Sequence, residues 1–365
     1  MEVTIFEAAK RVLAKVEVSG GGRCNCTNSF EGVRDLQQVY PRGHRLMKRL
    51  FKTFDYRDAY SWFEERGVAL VTQDDHCVFP RSQDSHTIIN LFLSEAHRLG
   101  IRVVTSRKIQ SLDEIADFDF IALTTGGLFP HHSTSPLLST TPPVPSLFTF
   151  SIDDDRLHAL MGTVVETATA MIPGTKMRAD GPLLITHWGM SGPCILRLSS
   201  YAARALHDAD YRMPLVVNWL SMRDQEIADE IEDIARRNPQ KLLSSVSPCG
   251  LQQRLWHYLL EKALGGRAHA PWCSLNKKEV NRLVTVLTND NYQISGRAPF
   301  KDEFVTCGGI SLDSIDSVTL ESKEQPRLYF AGEVLDIDGV TGGFNFQCAW
   351  TTAYTVAKAI SQVAQ

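Results

Sequence analysis

A loop rich in glycine and acidic residues near the end of the chain constrains the fold more than any other feature. Its sequence is GEVLDIDGVTGGFNFQ, residues 332–347. The strand-forming run RLYFA precedes it, and apolar residues at helical spacing follow it as far as Ile360. The order strand, loop, helix is typical of α/β folds, and the backbone N–H groups at such a helix start favour an anionic or carbonyl oxygen. This order predicts a ligand-binding loop; the alternative is a glycine-rich connection that only turns the chain.

Acids and glycines give this loop the chemistry of a binding site. They are Glu333, Asp336, Asp338, Gly339, Gly342 and Gly343. The glycines allow positive φ angles and place no Cβ between the backbone and a ligand, whereas the carboxylates accept hydrogen bonds from hydroxyl groups. This mixture suits a group that carries both hydroxyls and phosphate oxygens, such as a ribityl or ribose phosphate. We therefore predict that Glu333 and Asp336 face a cofactor cleft, and that the backbone of residues 342–345 opens a helix beside it.

The composition indicates a globular protein whose partners are small molecules. A length of 365 residues favours two to three domains, and 43% hydrophobic residues allow a sizeable core. The formal net charge is −4 without a long basic run, which argues against a nucleic-acid or membrane partner. No window reaches the ~18 apolar residues of a membrane span, and the first residues lack the pattern of a signal peptide. We therefore expect a cytoplasmic protein with a small-molecule substrate; the sequence leaves its oligomeric state open.

The eight cysteines have no repeated spacing, which argues against both a disulfide framework and a zinc ribbon. Cys24 and Cys26 form a C-x-C pair that could be read as metal ligands or as a redox couple. A disulfide across this two-residue offset is strained, and no second pair or histidine cluster is near in sequence. We predict that neither cysteine is bridged or metal-bound, and that the chain has no metal site.

The start of the chain carries an acid and a second glycine-rich stretch. A β-branched and aromatic run, residues 3–6, ends at Glu7; in dinucleotide-binding folds an acid at this strand tip accepts hydrogen bonds from the adenosine ribose. Such an acid follows a first strand and its G-x-G-x-x-G turn by about 20 residues, and six residues cannot contain them. Residues 19–28, SGGGRCNCTN, form a second backbone cradle. Lys15 and Arg23 would neutralise a pyrophosphate there.

Four stretches of the sequence resemble the signature motifs of the BaiN/YhiN-like flavoproteins. They are SGGGRCNCTN (residues 19–28), ADGPLLITHWGMSGPCILRLS (179–199), VTCGGI (305–310) and LYFAGEVLDIDGVTGGFNFQCAW (328–350). The resemblance covers nearly the whole chain. It implies a bacterial NAD(P)/FAD-dependent oxidoreductase with a glutathione-reductase-type FAD domain, in a group that includes aminoacetone oxidase-like members.

Residue by residue, the resemblance implies where FAD would bind. The adenosine ribose would meet Glu7, and the pyrophosphate or a ribose would lie near Lys15. The stretch FIALTTGG, residues 120–127, looks like the strand and double glycine that return the chain to the cofactor. The remaining cofactor contacts are implied at Gly20, Gly21, Gly22, Arg23, Cys24, Asn25, Thr125, Gly126, Gly332, Glu333, Asp336, Gly342, Gly343, Phe344 and Asn345. No catalytic residue can be named.

Two departures from the family pattern bear on the cofactor. The first is the absence of the G-x-G-x-x-G turn, which would place the pyrophosphate at the start of the first helix. Without it, we expect the chain as given to bind FAD weakly or not at all, to purify colourless, and to expose unpaired strand edges beside a gap in the parallel sheet. The second is residues 128–150, rich in Pro, Ser and Thr, where the family has a helix. His131 and His132 in this segment are expected to be solvated loop residues.

The expected fold is α/β, a glutathione-reductase-like Rossmann FAD domain, incomplete at its N-terminus, with an inserted small β domain and a helical cap. Three prolines in residues 142–145 predict the first domain boundary, because they cannot continue a sheet or a helix. The predicted segments are 1–145 (FAD domain, first part), 146–222 (inserted, mostly β domain), 223–291 (helical cap), 292–306 (strand returning to the β domain) and 307–365 (FAD domain, second part).

The function that follows is an FAD-dependent oxidoreductase that reduces or oxidises a small molecule, with NAD(P)H as its electron partner. No dinucleotide fingerprint separates NADH from NADPH, and nothing identifies the substrate. His187 and Trp188, at a turn of the inserted domain, would either meet a substrate or flavin edge or, as we favour, form a buried aromatic contact with a hydrogen-bonded histidine. The competing hypothesis is a flavin-free or weakly flavin-binding remnant of this fold that acts as a ligand- or protein-binding module. The colour of the purified protein separates the two.

Overall fold

The computed structural model describes residues 1–127, 139–298 and 305–364. The chain forms two compact units, one comprising Met1–Val144 with Val305–Gln365 and the other comprising Pro145–Phe304. The expected fold class is confirmed: the first unit is mixed α/β with parallel strand pairs, and the second contains a small closed barrel. His131 and His132 lie outside the described residues.

The regular elements alternate between short strands and helices. The strands are β1 (Thr4–Phe6), β2 (Thr27–Asn28), β3 (Leu70–Thr72), β4 (Cys77–Pro80), β5 (Arg102–Val104), β6 (Ile121–Leu123), β7 (Thr140–Ser146), β8 (Phe150–Ile152), β9 (Val164–Met171), β10 (Arg178–Ile185), β11 (Gly189–Ser191), β12 (Pro214–Asn218), β13 (Asp290–Arg297), β14 (Val305–Ile310) and β15 (Leu328–Phe330). The α-helices are α1 (Ala14–Gly22), α2 (His44–Leu50), α3 (Tyr56–Glu64), α4 (His86–Arg98), α5 (Asp155–His158), α6 (Pro193–Tyr201), α7 (Ala203–Asp208), α8 (Asp224–Arg237), α9 (Gln253–Leu264), α10 (Lys277–Thr288) and α11 (Phe344–Val363).

Two parallel strand pairs, β1 with β5 and β6 with β15, form the sheet part of the first unit. Within the described residues, no strand joins one pair to the other, so each pair has unpaired edges. Ile5 of β1 is 45% exposed, although parallel strands are ordinarily covered on both faces. Glu7, Gly126 and Gly332 follow β1, β6 and β15, so the carboxyl ends of these strands carry predicted cofactor residues.

The long helix α11 organises the core of the first unit. It contacts α2, α3, β2 and β15. Trp350 donates its indole N–H to the carbonyl of Cys26 (2.8 Å), and the Thr351 hydroxyl donates to the carbonyl of Phe54 (3.0 Å). Gly343 is the N-cap of α11. The prediction that the backbone of residues 342–345 opens a helix is therefore confirmed.

The proline-rich segment is a strand, contrary to the expectation that residues 142–145 could not continue a sheet. It forms β7, which pairs with β14 in a two-stranded sheet. A strand with a partner on one side only can carry prolines whose missing N–H groups face away from that partner. A Cβ at Gly308 of β14 would lie 2.5 Å from the carbonyl oxygen of Pro142, so a glycine is needed for the close approach of the two strands.

The second unit is built around an antiparallel barrel with the strand order β10, β11, β8, β13, β12, β9. Helix α10 packs against α8 and α9 and also against β12 and β13. Ile227, Ile231 and Ile234 are buried on one face of α8, as its amphipathic sequence predicts. The barrel and the helices share one hydrophobic core.

A buried polar network fastens α9 to the barrel. Asp290 of β13 is 2% exposed, and its carboxylate lies 2.5 Å from the ammonium of Lys262. The same carboxylate accepts hydrogen bonds from the indole of Trp219 (3.0 Å) and the hydroxyl of Tyr292 (2.5 Å). These partners compensate a charge that would otherwise be costly to bury.

None of the helices in residues 1–127, 139–298 and 305–364 combines the length and the apolar character needed to cross a bilayer.

Candidate functional site

Glu333, in the glycine-rich loop after β15, has two partners from distant parts of the chain. Its Oε2 lies 2.8 Å from Nζ of Lys15, in the first turn of α1. Its Oε1 accepts a hydrogen bond from the backbone N–H of Thr306, in β14 (2.8 Å). The Lys15 and Glu333 side chains are 63% and 21% exposed, so the ion pair is at the surface and contributes at most about 1 kcal/mol. A ligand could replace either partner at little cost.

The double glycine after β6 packs against the same residues. Gly126 has φ +78°, and a Cβ there would lie 3.7 Å from Oε2 of Glu333. A Cβ on Gly127 would lie 2.0 Å from the Thr306 hydroxyl oxygen, so no side chain fits. Thr125 is exposed beside them. We call Lys15, Gly126, Gly127, Thr306 and Glu333 the Glu333 cluster.

The cradle, residues 19–28, begins where α1 loses its helical geometry. Ser19 is extended, and Gly20 and Gly21 have φ +56° and +69°. A Cβ at Gly20 would lie 2.9 Å from the Phe79 ring, so this glycine packs against protein. At Gly21 a Cβ would meet no atom within 4 Å, and at Gly22 it would meet only a carbonyl oxygen at 4.0 Å. The cradle therefore has an open backbone at Gly21 and Gly22.

Arg23 does not project freely from the cradle. Its Nε donates to the carbonyl of Gly20 (3.0 Å), its NH1 donates to Oε1 of Gln83 (3.2 Å), and its guanidinium lies 4.2 Å from the ring centroid of Phe79. These contacts hold the chain reversal at the glycines. The expected neutralisation of a pyrophosphate by Arg23 would require the side chain to leave them.

The cradle and the C-terminal loop are in direct contact. The Asn28 side chain donates to the carbonyl of Gly342 (2.9 Å). A Cβ at Gly343 would lie 2.2 Å from the carbonyl oxygen of Thr27, which excludes every other residue. In the amide orientation that satisfies its neighbours, the Asn25 side chain accepts a hydrogen bond from the N–H of Gly343 (3.1 Å). The two glycine-rich stretches, more than 300 residues apart, thus form one structure.

Two side chains predicted to meet the cofactor instead stabilise the loop. Phe344 is 4% exposed, packs edge-on against Phe30, and has its carbonyl bonded by the Tyr40 hydroxyl (2.8 Å). The side chain of Asn345 bonds both the N–H and the carbonyl of Gly339 (2.8 and 2.9 Å). These contacts set the entry of the chain into α11.

The structure corrects the expectation for Asp338. Its carboxylate is fully buried and paired by two N–H groups of Arg42, so it does not offer an acceptor to ligand hydroxyls. Asp336 is half-buried, and its backbone N–H donates to the carbonyl of Ile310 in β14 (3.0 Å). Glu7 lies after β1 and accepts a hydrogen bond from the N–H of Ala9 (2.7 Å). Among the described residues, no hydrogen bond links Glu7 to the Glu333 cluster.

Cys24 and Cys26 are buried free thiols whose sulfur atoms lie 3.8 Å apart. The hydrogen bond between the two thiols lowers the pKa of Cys24 and raises the pKa of Cys26. Cys24 has φ +62°, a strained value that the adjoining glycine turn imposes. In the part of the chain that the structure describes, no group of three or more His, Cys, Asp or Glu residues has metal-binding geometry.

Sequence reasoning did not single out Thr306, Gly127 and Arg42. Thr306 and Gly127 lie inside the stretches VTCGGI and FIALTTGG, so their place in those motifs was the available signal. No local pattern marks Arg42 as the partner of Asp338, 296 residues later. The favoured interpretation of Trp188 as a buried aromatic residue is also wrong: Trp188 is half-buried, and the neighbouring His187 is exposed.

Comparison with known proteins gives a consistent result. The family model described as HI0933-like protein Rossmann domain matches residues 1–359. The chain is 25% identical over 388 residues to a Haemophilus influenzae protein named ribosomal RNA dihydrouridine synthase, covering 99% of this chain and 92% of that one. It is 25% identical over 386 residues to the Escherichia coli protein of the same name, covering 98% and 91%. It is 23% identical over 391 residues to a 3-dehydro-bile acid delta(4,6)-reductase of Clostridium scindens, covering 99% and 93%.

Proposed function

The chain belongs to the HI0933-like Rossmann family, the BaiN/YhiN-like flavoproteins, and on that premise we propose that it is an FAD-dependent oxidoreductase with NAD(P)H as its electron partner. One observation carries the proposal. The Glu333 cluster joins the carboxyl ends of β6 and β15 to the start of α1, and ligands of open α/β sheets bind at the carboxyl ends of the strands. The proposal includes a cytoplasmic location.

The residues at these strand ends suit the FAD that the family implies. The open backbone at Gly21 and Gly22 allows close approach of a cofactor. Lys15 offers a cation to a phosphate, and the carboxylate of Glu333 offers an acceptor to a ribityl or ribose hydroxyl. The exposed ion pair between them can exchange for these ligand contacts. When bound, the flavin supplies hydride transfer, while the chain supplies position and charge.

The names of the relatives support a more specific reaction. Formation of dihydrouridine saturates a C=C bond conjugated with a carbonyl of uracil, and a delta(4,6)-reductase acting on a 3-dehydro-bile acid reduces C=C bonds conjugated with a ketone. We extend this shared chemistry to the present chain. The substrate would gain a hydride on the carbon β to its carbonyl and a proton on the α carbon, with NAD(P)H oxidised in the net reaction.

Gly21→Ala tests the cofactor site. Gly21 and Gly100 have nearly equal φ angles (+69° and +68°), and a Cβ on either would meet no protein atom within 4 Å. Alanine at either position therefore costs the fold about the same, on the order of 1 kcal/mol. Only Gly21 lies in the cradle, so Gly100→Ala is a matched control. We expect Gly21→Ala to weaken FAD binding at least about tenfold in a flavin-fluorescence titration, and Gly100→Ala to leave it unchanged.

The reaction is tested by following NAD(P)H oxidation anaerobically in the presence of FAD. One arm offers a steroid dienone, and the other offers a uridine-containing ribosomal RNA fragment. Substrate-dependent oxidation in either arm, lost in Lys15→Ala together with FAD affinity, supports the proposal. Absence of flavin binding at high FAD concentration would contradict it and favour the flavin-free binding module.

A further inference from the structure

The barrel unit contains a cavity of about 400 Å³, and no residue of the Glu333 cluster is among its lining residues. Its walls come from β10, β11, the turn between them, the first turn of α6, and the residues just before β8 and β9. The lining residues are Thr149, Met161, Gly162, Leu184, Ile185, Thr186, His187, Trp188, Ser191 and Leu196. The volume lies in the range of small-molecule sites.

An aromatic pair forms one wall of this cavity. His187 and Trp188 occupy the tight turn between β10 and β11, which is closed by the hydrogen bond from the N–H of Thr186 to the carbonyl of Gly189 (2.8 Å). Their ring centroids are 3.5 Å apart with the planes inclined by 40°. The carbonyl of Trp188 is bonded by the N–H of Ile152 (2.8 Å), which fixes the turn to β8. The turn thus holds the two rings against each other as a pre-formed aromatic wall, against which an apolar ring of a ligand can pack.

The other described lining residues are mainly aliphatic, with three hydroxyl-bearing side chains among them. Leu184, Ile185 and Leu196 supply aliphatic surface, and Met161 lies at the mouth with 55% of its surface exposed. Among the lining residues that the structure describes there is no Lys, Arg, Asp or Glu. The hydroxyls of Thr149 and Ser191 bond each other (2.7 Å) and can turn one donor to a ligand oxygen. A ligand with a phosphate or carboxylate would lose its hydration here without gaining a partner.

We propose that this cavity binds a neutral, mainly apolar fused-ring ketone, stacked on His187 and Trp188 with its carbonyl near the Thr149–Ser191 pair. A uracil base fits less well, because its N3–H and two carbonyls require three polar partners, and buried polar groups left unpaired cost binding energy. The inference rests on the proposed function in one respect, the identification of the ligand as the conjugated ketone that the reaction consumes.

The test measures binding by titration calorimetry without flavin or NAD(P)H. The probes are androst-4-ene-3,17-dione, a neutral four-ring enone, and uridine. Met161→Trp narrows the mouth of the cavity and should weaken enone binding at least about tenfold. Leu242→Trp is the matched control, because Leu242 is an apolar residue of the same unit that is 46% exposed and is not among the lining residues. This variant should bind the enone as tightly as the unaltered chain does. His187→Ala, a change at an exposed position, should also weaken binding of the enone.

Each outcome decides the proposal. Binding of the enone with the expected loss in Met161→Trp and His187→Ala supports it. Equal affinities in Met161→Trp and Leu242→Trp, no enone binding, or uridine binding as tight as the enone would overturn it. FAD binding that depends on Gly21, without enone binding in the cavity, would remove this inference alone. Enone binding in the cavity without FAD binding would remove the proposed function alone.

Discussion

Replacing Arg42 by methionine is expected to destabilise the first unit more than any comparable change of a surface arginine. Asp338 is fully buried, and both of its oxygens accept N–H groups of Arg42, whose side chain is 17% exposed. The contact continues through the backbone, because Arg42 and Asp338 form an isolated bridge and Val340 donates to the carbonyl of Val39 (2.9 Å). The pair therefore holds the loop that leads into Gly342 and α11.

The magnitude follows from the burial of the carboxylate. Arg42→Met removes the guanidinium that pairs with Asp338, and breaking a buried ion pair by removing one partner costs about 3–5 kcal/mol. The double variant Arg42→Met with Asp338→Leu removes both charges and should recover part of this loss. Arg98 provides the control, because it makes a similar two-bond pair with Glu95 in the same unit, but at the surface. Arg98→Met should remain close to the unaltered protein.

Differential scanning calorimetry and amide hydrogen exchange measure the two parts of this prediction. A chain with two units need not unfold in one transition, so the calorimetric change has to be assigned to the first unit. In Arg42→Met, amide exchange should accelerate in residues 337–347, because this loop loses its ion pair with Arg42. In the double variant, part of the protection against exchange should return. Equal stabilities of Arg42→Met and Arg98→Met would refute the reasoning.

Three further changes have expected outcomes. Gly343→Ala should lower the melting temperature by several degrees and Gly21→Ala much less, because a Cβ at Gly343 would lie 2.2 Å from a backbone oxygen; equal shifts would contradict the packing argument. Burial raises the pKa of Asp154, but hydrogen bonds from two backbone N–H groups and a tyrosine hydroxyl outweigh it and leave this pKa lowered. Its stabilising contribution is thus present above about pH 4 and lost on acidification below it, a loss that Asp154→Asn should lack in a pH series of thermal scans. Burial and the nearby Asp290 carboxylate raise the pKa of Tyr292, so its contribution is lost above about pH 10; Tyr292→Phe should unfold less steeply in alkali while costing about 1.5–3 kcal/mol at neutral pH.

Local patterns predicted the elements that their own residues determine. The helical character of the segment that contains α8, the apolar spacing of α11 and the glycine-rich start of α11 were predicted, because helix periodicity and N-terminal glycines act over a few residues. The prolines of β7 led to a wrong prediction, because whether a strand tolerates proline depends on how many neighbouring strands it pairs with. Strand partners are set by tertiary structure, which composition within a window does not reveal.

The candidate site divides in the same way. Lys15 and Glu333 were predicted from the charges in two glycine-rich stretches, and the structure brings them together. Asp338 is also an acidic residue of the same loop as Glu333, yet it is buried and paired with Arg42. Whether an acid in such a loop faces a ligand or a buried arginine depends on residues hundreds of positions away. The sequence could therefore indicate the loop but not which of its acids is accessible.

The glycines of the signature motifs have two different physical causes. At Gly127, Gly308 and Gly343 a Cβ would lie 2.0, 2.5 and 2.2 Å from an atom of the chain itself, so these glycines are required by the fold whether or not a cofactor binds. At Gly21 and Gly22 a Cβ would approach no atom closer than 4.0 Å. Packing of the fold does not require the absence of a Cβ at these two positions. A ligand that lies against the backbone does require it. Loss of FAD affinity in Gly21→Ala with no greater loss of stability than in Gly100→Ala, and a larger loss of stability in Gly343→Ala, would separate the cofactor-binding glycines from the structural ones.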